Sequence, residues 1–189
     1  MGWRVTPGRG AIEWNGKENH RWKVIAVPDG DTVLIGGGPH RQAKEWLRML
    51  CIDCPEHGQR GSSEARDCLR SLILGKYCTI EPEKKWKYQR DRYGRTLCYI
   101  LQDDLLINAE MVRQGWSTYY TRHGRGRFAQ TFSECEVWAE SERIGVWQYY
   151  NSGDRWAWGR GRSKRHYRGA EEIREASRQI KENGGLKDG

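Results

Sequence analysis

No apolar run in this 189-residue chain approaches the roughly 20 residues that a membrane-spanning helix needs, and the first twenty residues lack the apolar stretch of a secretory signal. A cytoplasmic protein with no membrane partner is the expectation. No second cysteine pair completes a zinc site around Cys51 and Cys54, and His20, His40, His57, His123 and His166 show no metal spacing. There is no Gly-x-Ser-x-Gly turn, no Walker-type phosphate loop and no alternating acidic loop of the EF-hand kind. Serine-nucleophile hydrolysis, P-loop nucleotide chemistry and EF-hand calcium sensing are thereby set aside. Internal repeats are missing too, which excludes a solenoid. Acidic residues are the scarcer charge: 25 Asp and Glu face 33 Lys and Arg, for a net charge of +8. That balance favours a polyanionic partner such as nucleic acid, although a merely soluble basic protein would carry it as well.

The length suits one domain with tails. Residues 1–20 are polar and Gly-rich and read as an extension. Trp22 to Val27 and Thr32 to Ile35 flank a Pro-Asp-Gly turn, as in a hairpin. Glu45 to Ile52 reads as a third strand with Trp46, Arg48, Leu50 and Ile52 on one face. Ser62 or Ser63 is placed to cap a helix whose apolar positions are Ala65, Cys68, Leu69, Leu72 and Ile73, with Gly75 past its end. Tyr77 to Glu81 and Arg95 to Leu101 read as two further strands. Asn108 is placed to cap a short helix ending at Gly115, and Arg127 to Arg143 to form a longer one along Phe128, Phe132, Cys135 and Ala139. Periodicity thus gives an α+β fold with the strands dominant. The six cysteines lie in apolar stretches and are expected to be reduced thiols. Beyond Trp147 the character changes. Arg155 to Arg168 carries six Lys or Arg without an acid, interleaved with Trp156, Trp158, His166 and Tyr167. Residues 151–189 therefore read as a basic, Trp-rich tail, either a nucleic-acid arm or a solubilising segment.

Three segments carry the chemistry: Val27-Pro28-Asp29-Gly30-Asp31-Thr32-Val33, then Arg48 through Asp53-Cys54-Pro55-Glu56, then Asp91-Arg92-Tyr93-Gly94-Arg95. An arginine on an apolar strand face, as at Arg48 and Arg95, is paired, functional or snorkelling at an edge, because unpaired burial of charge is expensive. Asp31 and Asp53 fall just beyond strand ends, where hard oxygen donors can converge on a cation, though each alone suits an ordinary turn. Together the segments resemble the staphylococcal nuclease (thermonuclease) family over about residues 21–150, continuing through Ile107 to Gly115 and closing near Trp147.

The resemblance implies a five-stranded OB-type barrel with three packed helices. It further implies a calcium-dependent nuclease that cleaves DNA and RNA with low sequence specificity, favours single-stranded or breathing regions and leaves 3'-phosphate ends. Asp31, Asp53 and the backbone carbonyl of Cys54 correspond to the calcium site, with Asp29 behind them. Glu56 corresponds to the residue that orients or deprotonates water. Arg48 and Arg95 correspond to the arginines on the scissile phosphate. Arg92, Tyr93, Tyr119 and Tyr120 fall near substrate-binding positions. A catalytically silent binding module, or a subunit of a nucleoprotein complex, is the competing expectation; retention of all five chemical positions favours the enzyme.

Overall fold

Alternation of buried and exposed residues from Arg21 onward builds a barrel, as seen in a computed structural model that describes residues 3–5, 12–14, 21–37, 44–83 and 89–149. The strands are β1 (Trp3–Val5), β2 (Ile12–Trp14), β3 (Arg21–Ala26), β4 (Thr32–Gly36), β5 (Lys44–Met49), β6 (Ile52–Asp53), β7 (Tyr77–Glu81), β8 (Thr96–Gln102), β9 (Leu105–Leu106) and β10 (Thr118–Tyr119). The helices are α1 (Ser62–Ile73), α2 (Ile107–Arg113) and α3 (Ala129–Ser141), followed by a 3-10 turn at Gly145–Gln148.

Strands run in the order β5-β4-β3-β7-β8, and a parallel pairing of β5 with β8 closes the ring into a five-stranded barrel. Three helices pack around it, which is the OB-type α+β architecture that the resemblance implies. Strand β9 extends β8, and β6 pairs separately with β10. Trp22, Val24, Val33, Ile35, Leu47, Met49, Cys98 and Ile100 are all buried in one continuous core. Within the first twenty residues, read as an extension, β1 and β2 form a short antiparallel pair. The basic tail and its marginal helix lie outside the described residues.

Several local expectations change. The strand read as Glu45 to Ile52 stops at Met49, because Cys51 turns the chain with a left-handed φ of 62°. Leu50 and Ile52 therefore do not continue the outward face of Trp46 and Arg48; they are 3% and 0% exposed. Helix α1 is entered from Gly61 (φ 89°) with no side-chain cap, and Ser63 Oγ bonds the Glu64 carboxylate instead. Asn108 is likewise no cap, since α2 begins one residue earlier and the side chain points into the core. Its Oδ1 accepts from Ile100 N at 2.9 Å, and its Nδ2 donates to Leu50 O at 2.9 Å and Cys98 O at 3.2 Å. All six cysteines are free.

Candidate active site

The short β3–β4 connection brings Asp29 and Asp31 to one end of the barrel. Gly30 sits so close to its neighbours that a Cβ there would lie 2.7 Å from Cys54 Cβ and 3.0 Å from Ala65 Cβ. The loop can press against the 53–56 segment only because this position is glycine. Cys54 Sγ donates back to Gly30 O at 3.1 Å and Cys54 N donates to Asp31 Oδ2 at 3.2 Å, so the two segments are stitched from both sides.

Arg48 joins the carboxylates. Its Nη2 lies 3.0 Å from Asp31 Oδ2 and 3.2 Å from Asp53 Oδ1. Its Nη1 donates to Met49 O at 2.8 Å and Ile52 O at 3.1 Å, the two carbonyls that flank the Cys51 turn. The guanidinium is thus held by four acceptors of its own chain. Asp53 is fixed from behind, its N–H donating to Ser117 Oγ at 2.7 Å.

Arg95 reaches the same end by another route. Its Nε donates to Asp91 Oδ2 at 2.7 Å and its Nη1 to Thr32 Oγ1 at 2.9 Å, while Thr32 Oγ1 donates to Asp31 Oδ1 at 3.2 Å. A hydrogen-bonded line therefore runs Arg95, Thr32, Asp31, Arg48, Asp53. Unlike Arg48, Arg95 keeps its Nη2 without a hydrogen bond among the described residues. Glu56 is exposed, its backbone N–H bonded to Gln59 Oε1 at 2.7 Å, and its charge is felt at Asp31. Asp29 Oδ1 accepts from Asp31 N at 3.1 Å.

The other sequence candidates divide. Tyr93 is 67% exposed, with the Arg92 guanidinium 4.7 Å from its ring centre and Arg95 at 5.4 Å. Tyr119 is half-buried, stacks on Phe132 at 5.2 Å and donates its hydroxyl to Arg125 O. Tyr120 is half-buried, edge-on to His123 at 5.8 Å. Sequence reasoning passed over Thr32, which links the two arginines, and gave no role to His123. Partial burial, then the positive charges of Arg122 and Arg48, push the His123 imidazole below its usual pKa, placing it within the field of the site.

Burial pushes the Asp31 carboxyl up to about 6; Arg48 opposes this, and Asp29 and Glu56 add to it. A buried carboxylate with two further acids near it suits a cation. The donor set is all oxygen: the Cys54 thiol faces Gly30 and Cys51 Sγ faces Tyr99, both held well protonated by burial, so the C-x-x-C pair does not form a thiolate site. Among the described residues no three His, Cys, Asp or Glu side chains cluster as a ready-made cage. A hard cation would take the two aspartates and complete its shell with backbone oxygen and water.

The pH dependence has a definite sign. In chelator, the folded state binds a proton at Asp31 that the unfolded chain, with its ordinary value of 3.8, does not bind between about pH 4 and 6. This one group therefore makes the metal-free fold more stable as pH falls from 7 toward 5. Thermal melts of the wild type and Asp31→Asn are expected to diverge in that window. A cation bound at this carboxylate would reverse the trend, because protons would then compete with it. Identical pH profiles for the two proteins in chelator would remove Asp31 as the titrating group.

The model of the family described as staphylococcal nuclease homologue matches residues 46–149. The chain belongs to this family. It is 34% identical over 151 residues to the micrococcal nuclease of Shigella flexneri, covering 74% of this chain and 80% of that protein. It is 29% identical over 160 residues to protein ParB of Escherichia coli, covering 79% and 84%. An uncharacterized endonuclease of Escherichia coli matches at 29% over 137 residues, covering 72% and 82%. As a staphylococcal nuclease homologue the chain is a phosphodiester-hydrolysing nuclease whose substrates are nucleic acids. The family match contains Arg48, Asp53, Glu56 and Arg95 and begins after Asp31, which the fold adds through the Arg48 bridge. Among the described residues no helix is long and apolar enough to cross a membrane.

Proposed function

We propose that this nuclease is calcium-dependent, cuts DNA and RNA with little sequence preference at unpaired or breathing strands, and leaves 3'-phosphate ends. The supporting observation is the hydrogen-bonded line from Arg95 through Asp31 to Asp53, which sets two carboxylates and two guanidiniums at one end of the barrel beside an exposed glutamate. Asp31 and Asp53, with the Cys54 carbonyl, would hold calcium, which supplies positive charge to the phosphoryl oxygens. Asp29 steadies the Asp31 backbone. Glu56 orients a water and takes its proton as the oxygen attacks phosphorus. The bond to the 5'-oxygen breaks, and that oxygen takes a proton from solvent. Arg95 offers its open Nη2 to the charge that builds on the phosphoryl oxygens, where a fixed donor counts most. Tyr93 and Tyr120 line the approach. This reading confines catalysis to residues 21–150, with 1–20 and 151–189 as flanking segments.

Cleavage of single-stranded DNA, duplex DNA and RNA, each with calcium, magnesium or chelator, tests the reading. Calcium-dependent cleavage is expected, with 3' termini that cannot be extended by a polymerase until a phosphatase removes a 3'-phosphate, and 5' termini that a kinase labels directly. Glu56→Gln is expected to slow turnover about 10²- to 10⁴-fold, the usual reach of general base catalysis. Turnover undiminished in that variant would strip Glu56 of its role. Binding without cleavage under every metal condition would make the protein a recognition module.

A further inference from the structure

The outer face of β5 carries, in line with Arg48, two side chains that the site above does not use. Burial alternates along Lys44–Met49, so Glu45, Leu47 and Met49 turn inward while Lys44, Trp46 and Arg48 turn outward. Trp46 is 44% exposed, a large apolar surface left open two residues from a site arginine. At about 3.3 Å per residue, its Cα stands about 6.6 Å from that of Arg48. Parallel register pairs Leu47 with Thr96, so the strand position of Trp46 lies beside that of Arg95 as well.

On the β4 side the cross-strand neighbours of this row are uncharged: Thr32 opposes Arg48, Leu34 opposes Trp46, and Gly36 opposes Lys44. Gly36 in turn pairs with exposed Lys23 on β3, so two lysines flank a position that has no side chain. Along one strand the outward order is therefore cation, indole, cation. Nucleic-acid single strands present the complementary order of phosphate, base, phosphate. Cations track the backbone, and an aromatic face accepts any unstacked base.

We propose that this face is a substrate subsite, in which the base one nucleotide from the scissile phosphate stacks on Trp46 and the following phosphate sits between Lys44 and Lys23. The inference rests on the nuclease reading for its starting point at Arg48 and Arg95. It accounts for selectivity at the level of strand state: a base held in a duplex cannot leave its stack to reach the indole, whereas one in a single or breathing strand can.

The test uses the full chain and two labelled oligonucleotides, a short thymidine strand and an abasic strand of equal length. Binding is followed by fluorescence anisotropy in chelator, and kcat and KM are measured with calcium. Trp46→Ala is expected to weaken binding of the thymidine strand about tenfold and raise its KM to match, with kcat within twofold. Binding of the abasic strand is expected to be unchanged, and Trp46→Phe to recover most of the loss. Lys23→Gln with Lys44→Gln is expected to weaken both strands and flatten the salt dependence. Wild-type affinity in Trp46→Ala, an equal loss on the abasic strand, or no wild-type binding of thymidine strands would overturn the subsite. If the wild type cleaves nothing while Trp46→Ala still loses base-dependent binding, the subsite stands and the catalytic reading fails.

Discussion

Arg95→Lys is expected to lower kcat about 10²- to 10³-fold on single-stranded DNA while leaving the thermal midpoint within a few degrees of wild type. The reason is geometric. Arg95 uses Nε on Asp91 and Nη1 on Thr32, at 2.7 and 2.9 Å, and those two anchors aim the remaining Nη2. A lysine has one nitrogen, which can follow Asp91 or meet the phosphate but cannot be held by one and donate in a fixed direction to the other. The ion pair with Asp91 is part-buried, its side chains 25% and 17% exposed, and a lysine keeps a positive charge beside that carboxylate, so the fold loses little. Asp91→Asn should reproduce part of the kinetic defect with Arg95 intact, because it loosens the anchor. Near-wild-type turnover in Arg95→Lys would show that charge alone suffices there.

The second large effect concerns the fold. Asn108→Leu is expected to remove about 3 to 5 kcal/mol of stability, read as a fall in the denaturant midpoint at an unchanged slope. Asn108 is wholly buried, and its carboxamide serves Ile100 N, Leu50 O and Cys98 O. Cys98 O has a second partner in Leu50 N, whereas Ile100 N and Leu50 O lose the amide that meets them. Each orphaned group costs about 1 to 3 kcal/mol, a large share of a domain's usual 5 to 15. Asn108→Asp should not rescue: a carboxylate can accept from Ile100 but faces two carbonyls it cannot donate to. A loss below about 1 kcal/mol would mean that water takes the place of the amide.

Strands β3, β4 and β7 were readable because a two-residue period with buried alternates is a local property. Spacing and resemblance group Arg48 with Asp31 and Asp53, and the structure brings these three side chains into contact. The break after Met49 was not readable, since Ile52 and Asp53 leave the barrel to pair with Tyr119 and Thr118, far along the chain. The caps failed for a related reason. Ser62 and Asn108 obey local rules that favour capping, but Gly61 already turns the chain into α1, and Asn108 is claimed by strands packed under α2. Thr32 escaped notice because a threonine entering a strand looks like ordinary strand composition. Only the closed barrel brings Arg95 within reach of its hydroxyl.

Barrel closure also bears on when this protein can act. Arg48 lies on β5 and Arg95 immediately precedes β8, and those strands meet in the seam where Leu47 pairs with Thr96. Pairings between such distant segments are the slow ones in folding, since a long loop must be closed before any contact rewards it. A chain still emerging from the ribosome displays Asp31, Arg48, Asp53 and Glu56 well before Arg95 can dock against Thr32. Closure of this seam is thus the folding event that brings the second guanidinium to the end of the barrel that holds the first.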